Sequence, residues 1–115
     1  MFAALTRLFR RPPLEPTWLE VEQLQQRLAG SAAPLILDVR GADEFYGPLG
    51  HIADARNIPL SELDAHQAEL AAAGRPLVCV CLTDQRSAAA ASQLAAAGLT
   101  DVAVLRGGMK AWREG

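Results

Sequence analysis

Two continuous apolar runs, Leu35-Ile36-Leu37-Asp38-Val39 and Leu77-Val78-Cys79-Val80-Cys81, limit what this chain can fold into. Neither alternates polar with apolar residues, so neither suits a strand with one wet face. Both suit strands covered on two sides, as in a parallel sheet. The stretches around them read as helices. Val21, Leu24 and Leu28 form a helical stripe closed by Gly30, and Ala42 to Tyr46 can form a short helix broken by Gly47-Pro48 and Gly50. Ser61 is a candidate cap for a helix from about Glu62 to Ala72 ending at Gly74, and Ser87 for one running to Ala97 with Gly98 after it. Ala55 to Ile58 and Val102 to Leu105 read as further strands, Trp18-Leu19 as a brief apolar start, and Met109 to Trp112 as the opening of a last helix. Strands alternating with helices predict an α/β domain whose sheet is parallel and flanked on both faces, with functional groups at the strands' carboxyl ends.

Those ends carry Asp38-Val39-Arg40, Asn57-Ile58, Cys81 to Arg86, and Arg106-Gly107-Gly108. Cys81 is the chemically pointed one. The apolar run stops at it, a short loop follows, and a helix-forming alanine run begins just beyond Ser87. A sulfur placed there faces loop amides, the positive end of a helix and the nearby Arg86, all of which favour its thiolate. Cys79, between Val78 and Val80, reads instead as an inert core residue.

Composition excludes several alternatives. With 115 residues the chain is one domain that buries roughly 65% of its unfolded-chain surface, enough to fold without disulfides or a structural metal. A net charge of −2 offers no basic face for nucleic acid. Cys79 and Cys81 stand too close along a strand to bridge, and Cys-x-Cys with only His51 and His66 beside it lacks zinc spacing. No metal or cofactor is expected, and a reducing, cytoplasmic setting is.

Residues 1–16 form a separate basic amphipathic extension, with Phe2, Leu5, Leu8 and Phe9 at helical spacing, Arg7, Arg10 and Arg11 among them, and Pro12-Pro13 closing the segment. It is too short to span a bilayer, and its charges follow its apolar residues, unlike a secretory signal. A terminal extension, frayed or packed on the domain at 17–115, is the favoured expectation over peripheral membrane contact.

The ordered set Asp38-Val39-Arg40 with Glu44-Phe45, Gly50-His51-Ile52, Asn57-Ile58-Pro59, Cys81 with Arg86-Ser87-Ala88, and Leu105 with Gly107-Gly108 and Trp112 resembles the rhodanese (sulfurtransferase) family from Trp18 to Trp112. The resemblance implies a single rhodanese-like domain with a five-stranded parallel sheet and helices on both faces. It also implies that Cys81 accepts sulfur from thiosulfate or a persulfide donor and passes it to a thiol or protein acceptor. Leu82, Thr83, Asp84, Gln85 and Arg86 would be its cradle, with Asp38, Arg40 and Ser87 in support. Arg86 stands five residues after Cys81, the shorter sulfurtransferase loop and not the longer loop of the related phosphatases.

Two positions depart from the family pattern. Active members commonly carry arginine directly after the cysteine and glycine at the third position after it, where this chain has Leu82 and Asp84. Losing the arginine removes an attraction for thiosulfate. An inward Asp84 carboxylate would disfavour the anionic sulfur, so that Asp84→Gly raises thiosulfate turnover; an outward one capping the helix, the favoured expectation, would be harmless. Glycine also tolerates positive φ where aspartate is strained. A domain that keeps the fold as a binding or regulatory module without turnover is the alternative. Asp38, Arg40 and Glu44 read as a local ion-pair frame, His51 as a structural hydrogen-bonding residue, Gly107-Gly108 as a tight turn, and Trp112 as core.

Overall fold

The computed structural model describes residues 16–115, so the expected extension at 1–16 lies, but for Pro16, outside the described residues. Strand β1 (Thr17–Leu19) leads into helix α1 (Val21–Leu28), whose amino end is closed by a reciprocal pair in which the Glu20 amide donates to Gln23 Oε1 at 2.8 Å. Then follow β2 (Leu35–Asp38), α2 (Ala42–Phe45), β3 (Arg56–Asn57), a 3₁₀ segment (Leu60–His66) running into α3 (Gln67–Ala73), β4 (Leu77–Val80), α4 (Gln85–Ala96), β5 (Val102–Leu105) and α5 (Gly108–Glu114). The strands form one parallel sheet in the order β1-β5-β4-β2-β3.

The continuous apolar runs are the two central strands. Leu35 to Asp38 pair residue by residue with Leu77 to Val80, and both faces of each are covered. Side chains alternate across the sheet. Leu37, Leu77, Cys79 and Cys81 pack with Leu63, Leu70, Ala90, Ala91 and Leu94 from the 3₁₀ segment, α3 and α4. Ile36, Val78 and Val80 pack on the opposite face with Leu24 and Met109 from α1 and α5. The alanines of α4 let its backbone lie close on the sheet. Cys81, in phase with Cys79, therefore emerges on the α4 side of β4.

Three boundaries depart from the sequence reading. Trp18-Leu19, expected only as an apolar start, belongs to strand β1, paired with β5 from Thr17↔Ala103 to Leu19↔Leu105. Ser61 caps no α-helix. Pro59, at φ −55°, accepts from the Glu62 amide at 2.8 Å, and that three-residue bond starts the tighter 3₁₀ winding. α4 begins at Gln85, so Ser87 lies inside its first turn and is not its cap. Gly74 closes α3 in the left-handed conformation at φ 63°. Among the described residues no helix is long and apolar enough to cross a membrane.

Candidate active site

Cys81 is the first residue past β4, 1% exposed. Its Sγ accepts from the Ser87 amide at 3.4 Å and lies 3.3 Å from Ser87 Oγ. Ser87 is the third residue of α4, and an amide there has no acceptor inside its own helix. Asp84 occupies the cap position, but no side-chain cap bond forms. The sulfur thus takes the place that a capping oxygen usually fills, and Ser87, expected as a cap, is a buried partner of the sulfur instead.

The back of the loop is held by the turn between β5 and α5. Gly107 and Gly108, at φ 77° and 57°, bring the start of α5 against it. The Met109 amide donates to the Cys81 carbonyl at 2.8 Å, and the Lys110 amide to the Leu82 carbonyl at 3.0 Å. A side chain at Gly108 would overlap the Thr83 and Cys81 carbonyl oxygens. Carbonyls of residues 81, 82 and 83 therefore all face α5. In a trans peptide the N–H points opposite its C=O, so the amides of Leu82, Thr83 and Asp84 all point away from α5. Aligned amides of this kind make a concave site for an anion.

The Asp84 side chain settles both questions raised by its identity. Its φ is −151°, outside the left-handed region that favours glycine, so the exchange from glycine meets no positive-φ requirement here. Its carboxylate neither caps α4 nor turns into the loop. Oδ2 accepts from the Gly107 amide at 3.2 Å. Leu82 is exposed at the loop tip, as are Thr83 and Gln85.

Arg86 does not offer its guanidinium to the sulfur. Both terminal nitrogens bind the Glu44 carboxylate, at 2.7 and 2.9 Å. The pairing holds Glu44 down at about 2, mainly through the hydrogen bonds from Arg86, and raises Arg86, with Cys81 a smaller contributor. This pair and Pro59, Leu60 and Ser61 line an open hollow beside the loop. Cys79 is sealed in the core, where burial pushes its thiol up to about 12.

Asp38 and Arg40 form the frame beneath. Both are about 1% exposed; Arg40 Nη2 meets Asp38 Oδ2 at 2.8 Å and the Gly50 carbonyl at 2.7 Å, while Nη1 reaches the Glu44 carbonyl at 3.1 Å. Glu44 joins this frame through its backbone, its carboxylate belonging to Arg86. Asn57 Nδ2 donates to the carbonyls of Asp38 and Arg40 at 3.0 and 2.9 Å, a role its place in the Asn57-Ile58-Pro59 motif does not spell out. His51 stacks on Phe45 and donates from Nδ1 to the Phe45 carbonyl at 2.8 Å, the structural bond expected of it. Arg106 pairs with Glu20 at 2.8 Å over the ring of Trp18. Among the described residues no three His, Cys, Asp or Glu side chains gather to hold a metal ion.

A family model described as a rhodanese-like domain matches residues 20–115. An uncharacterized protein of Bacillus subtilis is 40% identical over 84 residues, which are 73% of this chain and 64% of that protein. The chain spans 48% of the length of a similar Synechocystis protein, so it covers less than two thirds of either. A thiosulfate sulfurtransferase, GlpE, of Shewanella oneidensis is 38% identical over 96 residues, 84% of this chain and 91% of the other. Among solved structures, a thiosulfate sulfurtransferase from Pseudomonas aeruginosa superposes with a TM-score of 0.76 at 32% identity, over 86% of this chain and 19% of that one.

Proposed function

The chain belongs to the rhodanese-like domain family, and from that premise we propose that it transfers sulfane sulfur through a persulfide on Cys81. The observation that carries the reading is the buried sulfur bound by the Ser87 amide, at the foot of a loop whose carbonyls are turned to α5. The Cys81 thiolate attacks the outer sulfur of the donor. With thiosulfate the sulfur–sulfur bond breaks, its electron pair leaves with sulfite, and Cys81 holds a terminal persulfide anion. The loop amides favour that charge without reorganising. An acceptor nucleophile, cyanide or a thiol, then takes the outer sulfur, and the thiolate leaves with the electron pair.

Among the described residues the guanidinium groups beside the loop are already engaged: Arg86 by Glu44, Arg40 by Asp38, Arg106 by Glu20. A dianionic donor meets amides and no free guanidinium, which favours persulfide donors, including those carried by a partner protein, over thiosulfate. The two free thiols suit a reducing compartment such as the cytoplasm. A second reading, a binding module without turnover, draws on the near-complete burial of Cys81.

Intact-mass measurement after incubation with thiosulfate, and separately with a low-molecular-weight persulfide, separates the two. Sulfur transfer predicts a gain of one sulfur that cyanide removes, lost in Cys81→Ser and retained in Cys79→Ser. No gain from either donor refutes it and leaves the binding module; equal loss in both variants refutes the assignment to Cys81.

A further inference from the structure

We propose that Asp84 is a positioning residue that holds the amide cradle of Cys81 open by tethering the loop to the β5–α5 turn. The loop from Cys81 to Asp84 contains three peptide planes, and the sense of each decides whether an amide or a carbonyl is presented on the side away from α5. The first two are fixed by hydrogen bonds, Met109 to the Cys81 carbonyl at 2.8 Å and Lys110 to the Leu82 carbonyl at 3.0 Å. The third, Thr83–Asp84, faces the Cα of Gly108, and the bond beside it is the one from the Gly107 amide to Asp84 Oδ2 at 3.2 Å. That bond spans the junction between the loop and α4, where a cap bond is missing.

A flipped third plane would place the Thr83 carbonyl where the Asp84 amide stands, exchanging a donor for an acceptor facing the anion. The tether resists that flip. The same bond directs the carboxylate to Gly107 and gives its charge a donor. Asp84 thus acts on the sulfur through the backbone and not as a charge beside it. The sign is opposite to that of an inward carboxylate: Asp84→Gly lowers the reactivity of Cys81. The proposal rests on the sulfur-transfer reading only where turnover is measured, because the cradle acts on the thiolate whatever it reacts with.

The test compares Asp84→Ala, Asp84→Gly and Asp84→Asn with the wild-type chain. Cys81 is followed by its alkylation rate with iodoacetamide at fixed pH, mapped by peptide mass, and by its rate of sulfur loading from thiosulfate. Cys79 stays silent in this range because its thiol is held up at about 12. Losing one aligned donor is expected to slow both reactions several-fold in the Ala and Gly variants, on the scale of a single weakened hydrogen bond to an anion. Asp84→Asn, whose amide oxygen still accepts from Gly107, is expected to recover at least half of the difference. That recovery separates a tether from lost charge or general loosening.

Rates in Asp84→Ala and Asp84→Gly equal to or faster than wild type overturn the proposal, as does an Asp84→Asn variant as slow as Asp84→Ala. Should the Ala and Gly variants not fold, amide exchange at Gly107 in the wild-type chain decides. Protection of that amide, lost on carboxylate protonation, supports the tether, and exchange at the unprotected rate overturns it. Alkylation rates in the expected order with no sulfur loading in any variant would sink the transfer reading and leave the tether standing.

Discussion

Replacing Gly108 by alanine tests how strongly the Cys81 loop depends on α5. Two costs arise, and a second glycine separates them. Gly74 has nearly the same backbone angle, φ 63° against 57°, but a side chain there would meet nothing within 4 Å. Gly74→Ala therefore measures the left-handed conformation alone, roughly 1 kcal/mol. At Gly108 the added carbon overlaps the Thr83 and Cys81 carbonyl oxygens and lies 2.8 Å from the carbonyl carbon of Leu82. These are backbone atoms and cannot rotate aside. Relief requires α5 to part from the loop, which breaks the bonds from Met109 and Lys110. At about 1 kcal/mol for each hydrogen bond, Gly108→Ala is expected to cost about 3 kcal/mol in all. Urea unfolding at equilibrium reads both variants, and on a scale of roughly 4 °C per kcal/mol the melting temperature falls by about 12 °C in one and about 4 °C in the other. The Gly108 variant should also load sulfur poorly. Equal destabilisation by the two substitutions would refute the claim that close contact, and not the turn alone, requires glycine at 108.

Glu44→Gln gives a prediction with a definite pH sense. Glu44 falls from the ordinary 4.5 to about 2 in the folded chain, so its ion pair stabilises above pH 4.5 and that contribution drains as pH falls toward 2. The pair is about a third exposed, so the wild-type advantage at pH 7 is at most about 1 kcal/mol; denaturant titrations should show it vanish in acid, and a gap that widens there would contradict the assignment. Arg40→Leu strands the buried Asp38 carboxylate and is expected to cost about 3–5 kcal/mol in the same assay; a loss below about 1 kcal/mol would show that Asp38 has another partner. Leu82→Arg places a cation at the exposed loop tip, and half-maximal loading is expected at lower thiosulfate but unchanged persulfide concentration. An unaltered thiosulfate dependence would show that this position does not reach the donor.

The two central strands are legible in sequence because burial on both faces leaves an uninterrupted apolar run, a signal contained within each segment. β1 is not, since Thr17 to Leu19 is a strand only by virtue of β5 lying beside it. The same distinction divides the site. Cys81 is legible because strand end, loop and helix start are adjacent in the chain. What Arg86 and Asp84 do is not, because the partners that decide it, Glu44 and Gly107, come from distant segments. Arg86 reads as a cation beside the sulfur until Glu44 claims both its terminal nitrogens. Asp84 reads as an outward cap of α4 until the Gly107 amide claims its carboxylate instead. A charge in a motif is thus a quantity still to be allocated, and here the allocation leaves the sulfur in the care of backbone amides. Those amides depend on α5 more than on any side chain of the loop, which is why Gly108, outside the loop altogether, should be among the positions least tolerant of change.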